Sequence, residues 1–124
     1  MKHQDISVLI IDDDAILRSL MGSLLRQEGY QVVGDASSAE SGMRMFEQYN
    51  PKAVLLDINL PGMDGLTMLS ELRRESDSVK VIMVSGDATL DRVRKALSSG
   101  ASGFVVKPIN ANKLLSAIEF AFKE

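Results

Sequence analysis

Val54-Leu55-Leu56-Asp57, followed at once by Ile58-Asn59-Leu60-Pro61-Gly62, is the stretch that decides how this chain folds. Three apolar residues in a row stop at a carboxylate and give way to turn formers. A short unbroken apolar run bounded by turn residues is the pattern of a strand buried on both faces of a parallel sheet. Asp57 then stands at the carboxyl end of that strand. Open parallel sheets bind their ligands in the crevice beyond those ends, so the chemistry is sought where the other strands stop.

Working outward, Ser7 to Asp12 holds Val8-Leu9-Ile10-Ile11 and ends in Asp12-Asp13-Asp14, which predicts a first strand of the same kind. Ile16, Leu17, Leu20, Met21, Leu24 and Leu25 follow at one-face helical spacing as far as Gly29, predicting a helix from about Asp14 to Glu28. Val32 and Val33 predict a short strand over Gln31 to Asp35, at the edge of the sheet. Ser37-Ser38-Ala39-Glu40 matches a capping box with Ser37 as the cap of a second helix, in which Ala39, Met43 and Phe46 face inward.

Past the Val54 strand, Asp64-Gly65 closes the loop, and Leu66, Leu69 and Leu72 stripe a third helix running to about Glu75. Val79 to Val84 predicts a fourth strand that ends at Ser85-Gly86-Asp87. Leu90, Val93 and Leu97 stripe a fourth helix, which Gly100 ends. Phe104-Val105-Val106 is a fifth strand finishing at Lys107-Pro108, and Asn110 caps a last helix with Leu114, Leu115, Ile118 and Phe122 inward. Strand and helix alternate five times. That predicts an α/β, doubly wound, five-stranded parallel sheet with five helices on its two faces, joined by right-handed crossovers.

The 124 residues, 45% hydrophobic and 25% charged, suit one ordinary domain over residues 1–124, with no Pro/Gly/Ser-rich linker to divide it. A net charge of -3 argues against direct nucleic-acid binding, which leaves a basic patch or stripe. There is no apolar run of about 18 residues and no signal-peptide pattern, so no membrane contact and a cytoplasmic location are expected. Without cysteine there is no thiol nucleophile and no thiolate metal site. The chemistry has to come from oxygen and nitrogen.

Strands one, three, four and five end in Asp12 and Asp13, Asp57, Ser85 and Lys107, and in a parallel sheet those ends share one edge. Three carboxylates, a hydroxyl and an ammonium therefore converge. Carboxylates crowded together call for a hard divalent cation with oxygen ligands, and magnesium accepts one or two of them beside waters and phosphate oxygens. With the acids neutralised, Lys107 and Ser85 can hold the oxygens of a phosphoryl group while Asp57 serves as the nucleophile.

These residues carry a resemblance to the receiver domain of two-component response regulators, and it extends over essentially the whole chain. The family places an acidic pair after strand one, a phospho-accepting Asp after strand three, Ser or Thr after strand four and Lys-Pro after strand five; all are present here. The resemblance implies a flavodoxin-like sheet of strand order 2-1-3-4-5. It also implies that Asp57 is the phospho-acceptor and that Asp12, Asp13, Asp57 and the Asn59 backbone carbonyl hold Mg2+. Lys107 and Ser85 would bind phosphoryl oxygens, and Ser85 and Phe104 would form the switch that alters the face of helix four, strand five and helix five. A cis peptide is expected between Lys107 and Pro108. The implied partners are a sensor histidine kinase or a histidine phosphotransfer domain, and a downstream protein target. The implied state is a monomer or a phosphorylation-dependent dimer, resembling single-domain chemotaxis-type regulators. The domain would be a signalling switch that catalyses only its own Asp phosphorylation and dephosphorylation.

Several readings compete. The alternative to a stand-alone receiver is the N-terminal receiver domain of a longer DNA-binding or enzymatic regulator whose output domain lies beyond Glu124. A haloacid-dehalogenase-like phosphohydrolase would need an acid/base two residues after its Asp nucleophile, and Asn59 is an amide that cannot serve. A flavin or nucleotide binder would need a Gly, Ser or Thr-rich loop after strand one, where three acids stand instead. Asp14 reads as a helix cap and His3 as a solvated residue near the N-terminus. Arg92, Arg94 and Lys95 read as a solvated helix face.

Overall fold

The computed structural model describes His3 and residues 5–123. In chain order the elements are β1 (Ser7–Ile11), α1 (Ala15–Gln27), β2 (Gln31–Ala36), α2 (Ala39–Tyr49) and β3 (Ala53–Asp57). They continue with α3 (Gly65–Glu75), β4 (Lys80–Ser85), α4 (Leu90–Ser98), β5 (Gly103–Val106) and α5 (Ala111–Phe122). All strand pairs are parallel and the order across the sheet is β2-β1-β3-β4-β5. Both the doubly wound architecture and the strand order match the expectation.

Period-two alternation sends successive side chains to opposite faces, and here both faces are buried. Leu9, Ile11, Val54, Leu56, Val81 and Met83 pack on one side beneath α2, α3 and α4, where they meet Phe46, Leu69 and Ala96. Val8, Ile10, Leu55, Ile82 and Val84 point the other way, against Met21 and Leu25 of α1 and Leu114 and Ile118 of α5. Each such side chain contributes about 1.5 to 3 kcal/mol on leaving water. This two-sided burial explains why β1 and β3 read as continuous apolar runs. The edge strand β2 keeps polar positions, and its register with β1 shifts between Val8 and Leu9.

Helix boundaries follow their caps. Asp14 Oδ1 accepts from the backbone N–H groups of Ile16 and Leu17, and Asn110 Oδ1 accepts from Lys113 N–H. Gly29 and Gly100, at φ of 90° and 104°, take the left-handed conformation that stops α1 and α4. The cap of α2 is displaced by one residue from the expected position. Because β2 runs on through Ala36, Ser38 rather than Ser37 caps the helix, accepting from Ser41 N–H, and Glu40 faces Arg44 instead of the cap.

The orientation of α4 also differs from the expected stripe. Leu90 and Leu97 are 64% and 52% exposed, while Ala96 is fully buried. The helix lays its small residue on the core, beside the cluster that receives Phe104, and turns the two leucines to solvent. No helix among the described residues is long and apolar enough to cross a membrane.

Candidate functional site

Four of the five strands deliver the site. Asp12 follows β1 directly, Asp57 ends β3, Ser85 ends β4 and Lys107 follows β5. Asp12, Asp57 and Ser85 are nearly or fully buried, and Asp13 is exposed beside them. Lys107 Nζ lies 3.3 Å from Asp57 Oδ2 and 3.1 Å from Asp12 Oδ2. The Lys107–Pro108 peptide is cis.

The backbone fixes each group. Asp57 Oδ1 accepts from Asn59 N–H at 3.1 Å, and Asp12 Oδ1 accepts from Asp14 N–H at 2.8 Å. Asp14 itself spends its carboxylate on capping α1, so the third acid of the run belongs to the helix, as expected. Lys107 N–H donates to Ser85 O, joining the ends of β4 and β5, and Ser85 Oγ accepts from Asp87 N–H at 3.0 Å. Phe104 is half-buried on β5 and packs against the core beneath α4.

Burial pushes the Asp57 carboxyl up from its ordinary value; the Asn59 N–H pulls against this, Asp12 adds to the rise, and Lys107 opposes it, leaving a net rise. Burial alone would lower the Lys107 ammonium, but the Asp12 and Asp57 carboxylates outweigh it and hold the group above its ordinary value. The pocket therefore keeps a lysine charged beside the Asp57 carboxyl, whose ionisation burial makes costly, an arrangement typical of reactive sites.

Ligand oxygens of Asp12, Asp13 and Asp57 lie within 4.8 Å of one another. Asp12 Oδ2 is buried and, although the Lys107 ammonium is near, receives no aligned hydrogen bond among the described residues. An all-oxygen set with an unsatisfied carboxylate oxygen is the donor chemistry of a hard divalent cation such as magnesium.

The local sequence gave no sign of Arg18. From α1 its Nη1 donates to Asp12 O at 2.6 Å and its Nε to Asp35 Oδ1 at 3.1 Å, so it pins the turn that carries Asp12 and Asp13. Two expectations for other residues need correcting. His3 is not a solvated residue: its ring stacks on Tyr30, with centroids 4.3 Å apart and planes 5° from parallel, and it approaches Glu119 at 3.7 Å. This apolar contact lies near the amino ends of β1 and β2, the sheet edge opposite Asp57. Arg94 and Lys95 are exposed as expected, whereas Arg92 is half-buried and ion-paired.

Comparison with known proteins agrees with this geometry. The family model for the response regulator receiver domain matches residues 8–119. The chemotaxis protein CheY of Bacillus subtilis (strain 168) is 33% identical over 111 residues, which make up 90% of this chain and 92% of that protein. The transcriptional regulatory protein MalR of the same organism is 36% identical over 114 residues, but these span 91% of this chain and only 48% of that protein. The structure of the CheX-CheY-BeF3-Mg+2 complex from Borrelia burgdorferi aligns with a TM-score of 0.92 at 30% identity, covering 96% of this chain and 90% of that one. A DNA-binding response regulator of the LuxR family from Staphylococcus aureus aligns with a TM-score of 0.87 at 31% identity, over 94% of this chain and 98% of that one. With the fold, the acidic cluster and these similarities together, the chain belongs to the response regulator receiver domain family.

Proposed function

We propose that residues 1–124 form a single receiver domain that takes a phosphoryl group from the phosphohistidine of a sensor kinase, or of a histidine phosphotransfer domain, onto Asp57. The observation that carries this reading is the Lys107 ammonium 3.3 Å from the buried Asp57 carboxylate, with Asp12 and Asp13 alongside. In the transfer the P–N bond to the donor imidazole breaks and a P–O bond to an Asp57 oxygen forms, and the leaving imidazole picks up a proton from solvent. Attack by water on phosphorus later releases inorganic phosphate and restores the carboxylate. The domain thus catalyses its own phosphorylation and dephosphorylation and no other turnover.

Asp12, Asp13, Asp57 and the Asn59 carbonyl would hold Mg2+, which supplies positive charge to carboxylates and phosphoryl oxygens that otherwise repel. Asn59 N–H fixes one oxygen of Asp57 and so orients the other for attack. Lys107 neutralises charge on the transferred group. Ser85, whose oxygen accepts from Asp87 N–H, still has its hydroxyl proton to give to a phosphoryl oxygen. Movement of Ser85 opens space for the half-buried Phe104 to turn inward, which alters the α4-β5-α5 face and its affinity for a downstream protein. The domain works in the cytoplasm, and phosphorylation acts on a monomer or drives it to dimerise.

A second reading makes this the receiver part of a longer regulator. It is favoured by relatives such as MalR, of whose length the matched region covers 48%. The reading frame of the gene separates the two.

Intact mass after incubation with acetyl phosphate, with and without magnesium, tests the reading. The expected result is a magnesium-dependent gain of one phosphoryl group that Asp57→Asn abolishes. No gain from either acetyl phosphate or a phosphorylated kinase would reduce the domain to a binding module without this chemistry.

A further inference from the structure

Arg92 occupies a place that a solvated arginine would not. Its Nε lies 3.3 Å from Asp87 Oδ2 and its Nη1 lies 3.9 Å from Asp64 Oδ2. Asp87 belongs to the loop leaving β4, and Asp64, the cap of α3, ends the loop leaving β3. One guanidinium on α4 therefore ties together the two loops that flank the acidic cluster. With Asp13, Asn59 and Gly62 it lines a depression of about 500 Å³. Asp87 also reaches deeper, because its backbone N–H donates to the buried Ser85 hydroxyl oxygen. Contacts thus run unbroken from α4 through Asp87 to Ser85.

We propose that Arg92 is a positioning residue, a strap that holds the β4–α4 loop and Ser85 in the resting arrangement and must yield before Ser85 closes on an anion at Asp57. This rests on the reading of Asp57 as phosphoryl acceptor. When Ser85 Oγ moves toward a phosphoryl oxygen, the Asp87 N–H must either lose its acceptor or follow. Following is opposed by Arg92, which anchors the Asp87 carboxylate to the capped start of α3. Partly exposed ion pairs are modest, so the strap biases the equilibrium and does not lock it. Its removal is expected to tighten anion binding about two- to fivefold.

The test is the affinity for beryllofluoride, an anionic phosphoryl mimic, measured with magnesium at low salt. The proteins are the wild type, Arg92→Gln, Asp87→Asn, the double variant and Arg92→Lys, each first shown by thermal melting to be folded. Arg92→Gln and Asp87→Asn change the local charge in opposite directions but cut the same strap. Both are expected to tighten binding, the double variant no more than either alone, and Arg92→Lys is expected to stay near wild type. Single variants that move affinity in opposite directions and add in the double would mean Arg92 acts only as a charge, and would overturn the strap. Unchanged affinity in either single variant would overturn it too. A folded wild type that binds no beryllofluoride would remove the Asp57 reading and the strap with it, whereas wild-type binding with indifferent variants removes the strap alone.

Discussion

Lys107 Nζ lies 3.3 Å from Asp57 Oδ2 across fifty residues of sequence, because β3 and β5 flank β4 and all three end at the same edge of the sheet. Two further contacts fix the lysine: its backbone N–H is bonded to Ser85 O, and its ammonium approaches Asp12 Oδ2. The ammonium is thus already held beside Asp57, where a transferred anionic group would arrive, rather than recruited to it.

Lys107→Met is therefore expected to slow phosphoryl gain from acetyl phosphate about a hundredfold or more, the scale seen when one preorganised donor is removed. Rates are read by intact mass over time, with circular dichroism to show that the fold persists. An unchanged rate would mean that the lysine only balances charge.

Gly65→Ala should damage the site through the backbone. A Cβ at Gly65 would come within 2.6 Å of Ile58 Cα and 2.9 Å of Ile58 O, and would also press on the Asp57 carbonyl. None of these atoms belongs to a side chain that could swing away. The start of α3 would have to lift off the loop that carries Asn59, breaking the Gly65 N–H bond to Ile58 O. The expected cost is about 2 to 4 kcal/mol in urea unfolding, with weakened magnesium binding. A variant as stable as wild type would show that this loop is looser than its contacts imply.

Tyr30 contributes to the loss of stability in alkali. Burial, then the nearby carboxylates of Glu119 and Glu28, push its hydroxyl up from 10.0 to about 12. The folded state holds this proton more tightly than the unfolded chain. The stabilisation is therefore complete below pH 10 and is lost as pH rises to about 12, at most about 2 to 3 kcal/mol. The hydroxyl is buried without a hydrogen-bond partner among the described residues, so Tyr30→Phe should cost nothing at neutral pH and add up to about 1 kcal/mol. Urea midpoints for the two proteins at pH 8 and about pH 11 test both statements. A Phe variant that is clearly weaker at neutral pH, or that loses stability in alkali as steeply as wild type, would contradict them.

The legible parts of this chain were those whose signal is local. Val8 to Ile11 and Val54 to Leu56 announced buried strands because both faces of the sheet are covered, and Asp12, Asp57, Ser85 and Lys107 fell at strand ends that parallel topology must bring together. The face of α4 was not legible, since a stripe of Leu90, Val93 and Leu97 at helical spacing does not reveal that Ala96 is the residue small enough to lie against the core. Nor could sequence spacing reveal the arginines. Arg18 reaches Asp12 O and Asp35, Arg92 bridges Asp64 and Asp87, and Arg73 donates to Val79 O, Gly100 O and Ser102 Oγ. Long flexible side chains that satisfy distant acceptors leave no periodic trace. His3 is hidden from a sequence reading for a similar reason, because its partner Tyr30 stands just before β2, the strand beside β1 in the sheet but far from His3 in the chain.

The most direct test of the account is to find the phosphorylated atom. An acyl phosphate, unlike a phosphate ester or a phosphohistidine, is reduced by borohydride to an alcohol, so a phosphorylated aspartate is trapped as homoserine. Protein treated with acetyl phosphate and magnesium, reduced and then digested, should carry homoserine at position 57 and at no other aspartate, with none when magnesium is withheld. Homoserine at position 12 or 13, or phosphate retained on Ser85 or His3, would contradict the assignment of Asp57 as the acceptor.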